Sequence, residues 1–178
     1  MDSTVKTILL LRHAKSAWSD PRLDDHERPL SKRGERAAEA IADHVARRAP
    51  RPDLILCSTA LRTRQTLAPL LKRLGNPSPP IALEKDLYLA TEDMMLARLQ
   101  ALSEEIGTVL LIGHNDGIWH LAEALVGRGS GSLREALGQK YPTGALATLS
   151  VPDGPWAELD WGKAEVLDFV KPRDLAVT

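Results

Sequence analysis

Two short apolar runs, far apart in the chain, do most to limit what it can fold into. Residues 7–11 read T-I-L-L-L and stop at Arg12-His13; residues 108–112 read T-V-L-L-I and stop at Gly113-His114-Asn115. Neither run alternates polar with apolar side chains, so each needs apolar cover on both faces. That is the condition of a central strand in a mostly parallel sheet.

Elsewhere the apolar spacing is that of helices. In residues 31–49 Ala37, Ala38, Ile41, Ala42 and Val45 recur at intervals of three and four until Pro50 ends the pattern. Residues 54–57 (L-I-L-C) predict a second strand, and 59–74 a helix with a kink point at Pro69, closed by Gly75-Asn76-Pro77. A third strand is predicted at 81–83, a third helix at 92–106 and a short helix at 116–126, followed by a turn-rich break at 127–131. Residues 146–151 and 156–161 read as a hairpin around Pro152-Asp153-Gly154-Pro155. Residues 16–29 have no period and predict a long surface loop. The pattern is α/β: a three-layer α/β/α sandwich with a mostly parallel central sheet and an antiparallel C-terminal strand or hairpin. With 178 residues, one domain over 1–178 is expected.

In such a sheet, ligands bind outside the carboxyl ends of the strands. The first strand delivers Arg12 and His13 there, and the second delivers Ser58 and Thr59, then Arg62 in the first helical turn. The strand ending at Ile112 delivers His114 and Asn115. Two arginines and two histidines on one rim form a receptor for a compact dianion such as a phosphoryl group. A cation in the first turn of a helix opposes the macrodipole, and an anion held there reverses that sign. Arg62 is preferred to Arg64, because Gln65 and Thr66 share its face of the helix. Each residue alone has an ordinary structural explanation, with Asn115 for instance serving as a helix cap.

This charge is local. Lys+Arg 23 against Asp+Glu 24 gives a net charge of −1, which removes the argument for nucleic-acid binding or membrane-surface adsorption. Cys57 is the single cysteine, so neither an internal disulfide nor a thiolate zinc site is expected. The first six residues lead into a strand without the apolar core of a signal peptide, and cytoplasmic residence is the expectation.

The string Leu11-Arg12-His13-Ala14-Lys15-Ser16-Ala17-Trp18 resembles the opening signature of the histidine phosphatase superfamily, the phosphoglycerate-mutase-like fold. Arg28-Pro29-Leu30-Ser31-Lys32-Arg33-Gly34 is similar to the family's R-P-L-[ST]-x-x-G, residues 58–66 to its S-x-x-x-R-x-x-Q-T, and Gly113-His114-Asn115 to its G-H-N. Residues 141–149 and 169–175 look like the small SixA-type branch, which removes phosphate from phosphohistidine. The resemblance implies that His13 is the nucleophile that becomes phosphorylated, with Arg12, Arg62 and His114 around the phosphoryl oxygens. Ala14 stands where the wider superfamily has glycine, and Lys15 where the mutases have an acid.

A histidine nucleophile needs one ring nitrogen unprotonated and the other held as a donor, a task for a backbone carbonyl. No metal or other cofactor is implied, since positioning and electrostatic stabilisation carry most of a phosphoryl transfer. If the leaving group needs an acid, the candidates are Asp86, after the third strand, and Asp25, in the rim loop. Glu27 and Glu84 are weaker, and all four read equally well as surface carboxylates. The space between residues 83 and 108 holds one helix and no lid, which predicts an open site. Three readings compete: a phosphatase for phosphohistidine on a protein, one for a small phosphomonoester, and a non-catalytic phosphate-binding module. The four tryptophans read as packing residues, and His26, His44 and His120 as solvated or structural.

Overall fold

The computed structural model describes residues 5–175, so the expectation for residues 1–4 lies outside it. Seven strands form one sheet in the order β3-β2-β4-β1-β6-β7-β5. The apolar runs supply β1 (Lys6–Arg12) and β4 (Thr108–Gly113), which lie side by side and parallel at its centre. β2 (Leu54–Ser58) flanks β4, and β3 (Ile81–Glu84) forms one edge, both in parallel register. On the other side, β6 (Leu146–Val151) runs antiparallel to β1 and to β7 (Ala164–Val170), and β5 (Val126–Gly129) pairs parallel to β7.

Both faces are covered, as the unbroken apolar runs require. Ile8 and Leu10 of β1, with Val109 and Leu111 of β4, face a cluster built with α3 (Glu92–Gln100), α4 (Gly117–Leu125) and α5 (Gly131–Gln139). Leu9 and Leu11, with Leu110 and Ile112, face a second cluster with α1 (Lys32–Arg48) and α2 (Leu61–Leu74). The three-layer α/β/α expectation holds. Ser31, Thr91 and Ser130 cap α1, α3 and α5, each accepting from a backbone N–H three residues on. No helix among the described residues is long and apolar enough to cross a membrane.

Four expectations are corrected. The predicted hairpin partner at 156–161 is no strand: Trp156–Glu158 is a 3-10 turn, and the strand paired with β6 is β7. Trp156 is pulled from an extended path by two bonds, its indole N–H to the Ile106 carbonyl and its backbone N–H to Glu104 Oε1. The helix expected over 92–106 is shorter: α3 ends at Gln100, where the Ala101 N–H closes the last turn on the Ala97 carbonyl. The break at 127–131 contains β5, and α5 was not expected at all. Finally, α2 starts at Leu61, two residues later than expected, and runs to Leu74 with Pro69 inside it.

Candidate active site

The four predicted basic residues converge at the carboxyl ends of β1, β2 and β4. Arg12 pairs with Gly113 in the β1–β4 register, and the His13 N–H continues that ladder by donating to the Gly113 carbonyl at 3.1 Å. The rings of His13 and His114 lie 5.2 Å apart, centroid to centroid. Arg12, His13 and Arg62 line a cavity of about 300 Å³ together with Ser16, Trp18 and Arg28.

The turn after β1 is clamped from three sides. The Ala14 N–H donates to Thr66 Oγ1 at 3.0 Å, tying it to the first turns of α2. The Gly144 N–H donates to both the Arg12 and His13 carbonyls, at 3.0 and 2.9 Å, from a left-handed backbone with φ 77°. Under α1, a Cβ on Gly34 would stand 2.0 Å from the Lys15 carbonyl oxygen, so only glycine lets the helix approach this closely. That oxygen accepts from the Ser31 N–H at 2.9 Å. The Ala14 methyl is fully buried and packs with Leu30 and Ala38.

His13 Nδ1 lies 2.7 Å from the Ala14 carbonyl oxygen, which can only accept. The ring therefore carries its proton on Nδ1, and Nε2 keeps its lone pair. Burial pushes the His13 imidazole down to about 4; the Ala14 bond pulls the other way, and Arg62, Arg12 and Arg28 add to the depression. His114 is pushed to about 3, by burial first, then by His13 and the arginines. Its Nε2 shares a 2.9 Å hydrogen bond with Ser58 Oγ, while its Nδ1 is buried without a partner in the protein. Arg12 Nη1 donates to the Tyr141 carbonyl at 2.9 Å, and Arg12 Nε is likewise buried and unpartnered. The guanidinium Nε is thus a donor with no acceptor in the protein, and His114 Nδ1 is a second one in the tautomer where Ser58 Oγ donates to Nε2.

Asp25 is placed at the site, but as a counterion. Its Oδ2 accepts from Arg62 Nη2 at 2.9 Å and from the Tyr88 hydroxyl, its Oδ1 from Arg28 Nη1 at 2.7 Å, and its carbonyl from Arg62 Nη1 at 2.6 Å. Burial raises its pKa, yet the bonds from Tyr88, Arg62 and Arg28 outweigh it and hold the carboxyl at about 2. A carboxylate so held is ionised at neutral pH. Asp86 is exposed on the 3-10 turn Lys85–Leu87 and bonds to none of the four basic residues. Glu84 is engaged by Arg98, with Nε and Oε1 2.7 Å apart, and Glu27 pairs with His26. Arg64 turns away to the Thr59 carbonyl, as expected.

Two members of the site were missed from sequence. Arg28, 7% exposed, brings a third guanidinium; it bonds Ser16 Oγ and the Ala17 carbonyl and stacks on Trp18 at 3.2 Å from the ring centroid. Its place before Pro29 in an aperiodic loop was the available signal. Tyr88 spans the site, packing edge-on to His114 at 5.4 Å and bonding Asp25.

The sequence pattern of the histidine phosphatase superfamily (branch 1) matches residues 8–88. The SixA protein of Agrobacterium tumefaciens, a candidate phosphohistidine phosphatase, is 35% identical with a TM-score of 0.79, covering 94% of this chain and 98% of its own. Its counterpart from Nakamurella multipartitia is 32% identical with a TM-score of 0.81, covering 94% and 96%. An uncharacterized protein of Mycobacterium leprae is 33% identical over 169 residues, which are 92% of this chain and 100% of the relative. With signature, fold and relatives in agreement, the chain belongs to the histidine phosphatase superfamily and is a phosphatase of its SixA-type branch.

Proposed function

We propose that this phosphatase removes phosphate from phosphohistidine carried on another protein, through a phosphohistidine intermediate on His13 and without a metal ion. The observation that carries this reading is the bond from His13 Nδ1 to the Ala14 carbonyl, in a ring held neutral by burial and the surrounding guanidinium groups. Such a ring presents Nε2 as a nucleophile at neutral pH. Nε2 attacks phosphorus, a P–N bond forms, and the P–N bond to the substrate imidazole breaks. One P–N bond replaces another, so this step is close to thermoneutral. Water then attacks the phosphoenzyme and releases inorganic phosphate and free His13. Arg12 Nε and the Arg62 guanidinium stabilise the charge on the equatorial oxygens, and His114 adds an Nδ1 donor in the tautomer where Ser58 Oγ donates to its Nε2. That positive charge comes from side chains, which is the ground for expecting no metal. Asp25 holds Arg62 and Arg28 in position.

The choice of substrate rests on the shortage of acid. An alkoxide leaving group needs a proton as it departs, whereas Asp25 is held ionised by Tyr88, Arg62 and Arg28 and Asp86 bonds to none of the four basic residues. Imidazole has a pKa of about 6.5 and leaves as a neutral ring when its other nitrogen is already protonated. The site supports that leaving group better than a sugar or serine. The test is turnover in excess EDTA of a phosphohistidine peptide against a panel of sugar and nucleotide phosphates. The peptide is expected to dominate. A single metabolite turned over faster than the peptide, or activity abolished by EDTA and restored by a divalent ion, overturns the reading.

A further inference from the structure

A second groove opens beside the catalytic cavity, and no carboxylate lines it. It holds about 400 Å³ and receives cations from four segments: Lys15 after β1, Arg33 in the first turn of α1, Lys140 after α5, and Lys171 and Arg173 beyond β7. Four of these side chains are exposed, Lys171 is half-buried, and none of the five forms an ion pair among the described residues. The acids closest in sequence are Glu35, two residues after Arg33, and Asp174, whose Oδ2 accepts from the Lys171 backbone N–H at 3.1 Å; neither lines the groove.

Another groove further along α1 shows the usual treatment of surface charge. There Arg47 lies 3.0 Å from Asp43 and Arg73 2.7 Å from Glu39, so two of its four arginines are paired, whereas no carboxylate lines the groove beside the catalytic cavity. Five unmatched cations on one wall repel each other, and in a chain of net charge −1 they are not part of a general positive field. Their position is built. Lys15 and Thr143 line both this groove and the catalytic cavity, making the two continuous. The loop that clasps the His13 carbonyl packs against the segment that carries Lys171 and Arg173: a Cβ on Gly144 would lie 2.7 Å from Pro172 Cγ.

We infer that this groove docks an acidic face of the phosphorylated protein, so that residues flanking the phosphohistidine set substrate choice. This rests on the function proposed above. Mobile side chains from four segments form a broad charged wall, whereas a second phosphate on a metabolite would call for donors converging on one point.

The test compares two peptides of equal length, each carrying one phosphohistidine, flanked on both sides by glutamates in one and by alanines in the other. Phosphoramidate serves as the substrate without flanks. The wild type is expected to favour the glutamate peptide by roughly tenfold in kcat/KM at low salt, a preference that fades as salt screens the charges. In the variant carrying R33E, K140E and R173E the preference disappears, while phosphoramidate turnover stays within about twofold of wild type, since these side chains act on encounter and not on chemistry. Equal kcat/KM for both peptides in the wild type, or a preference that survives charge reversal, overturns the docking surface and leaves the chemistry standing. No turnover of any of the three substrates overturns the proposed function, and the docking inference with it.

Discussion

The rim of β1, β2 and β4 and the C-terminal side formed by β6, β7 and β5 belong to one sheet, yet they treat buried polar groups in opposite ways. On the C-terminal side every such group is closed off. The fully buried Tyr141 hydroxyl donates to the Leu10 carbonyl at 2.5 Å and accepts from the Ala147 N–H at 3.1 Å, and the Trp156 indole N–H donates to Ile106 at 2.8 Å. At the rim, Arg12 Nε, His114 Nδ1 and Asn115 Oδ1 are buried with no partner, and among the described residues no other buried side-chain atom shares that state. Leaving such groups unmet costs stability, about 1–3 kcal/mol each. One end of the sheet is closed for persistence, while at the other an anion meets the unpaired Arg12 Nε donor; Asn115 Oδ1, an acceptor, is not a group that an anion meets.

The largest expected effect separates the two ends. Arg62→Ala removes a buried guanidinium from the site and should lower kcat by roughly 10³-fold, because it removes a donor at developing charge, while the loss of its two bonds to Asp25 lowers Tm more modestly. Steady-state kinetics beside thermal unfolding check this, and a large loss of Tm with normal kcat would erase the distinction. The converse is Trp156→Ala, which empties a fully buried site on the other side. It should cost about 3–5 kcal/mol in urea unfolding while the folded fraction keeps its kcat.

Tyr141 tests the boundary between the regions. Its ring lies in the core, but its backbone carbonyl holds Arg12 Nη1. Tyr141→Phe keeps the carbonyl and loses two hydroxyl bonds, so a loss of about 1–3 kcal/mol is expected with kcat altered less than in Arg62→Ala. A collapse of kcat without loss of stability would show that the hydroxyl belongs to the catalytic rim.

The mildest effect is one of pH. His13 and His114 sit at about 4 and about 3 when folded, below the value of about 6.5 for an unfolded histidine. As pH falls through 6.5 the unfolded chain takes up protons that the folded chain refuses. Stability is therefore full above 6.5 and declines toward pH 4. Unfolding curves in that window should flatten in the double variant His13→Asn, His114→Asn. kcat/KM for the folded enzyme should pass through pH 6.5 without the fall expected of an ordinary histidine base.

Legibility in the sequence followed the same divide. The rim could be read because its constraints are local: an unbroken apolar run must be a buried strand, and the residues after it must lie at the strand's end. Gln65 and Thr66, placed on the face of Arg62 by helical spacing alone, indeed bind the Leu30 N–H and the Ala14 N–H. The C-terminal side was misread because its contacts are distant. Pro152-Asp153-Gly154-Pro155 looks like a hairpin turn, but Trp156 answers to Glu104 and Ile106, some fifty positions away, which no local period records. The alternation in A-E-V-L-D-F-V was present in the sequence for β7, and the competing hairpin reading displaced it. Arg28 was passed over because a cation in an aperiodic loop is ordinarily solvated; only the fold brings Asp25, Ser16 and Trp18 around it.

The account stands most directly on a rapid-quench experiment with ³²P-phosphohistidine peptide. It predicts a burst of one labelled phosphate per enzyme, stable in alkali and lost in acid, mapping to His13 and missing in His13→Asn. Steady turnover with no labelled enzyme, or label on a different residue, would contradict it.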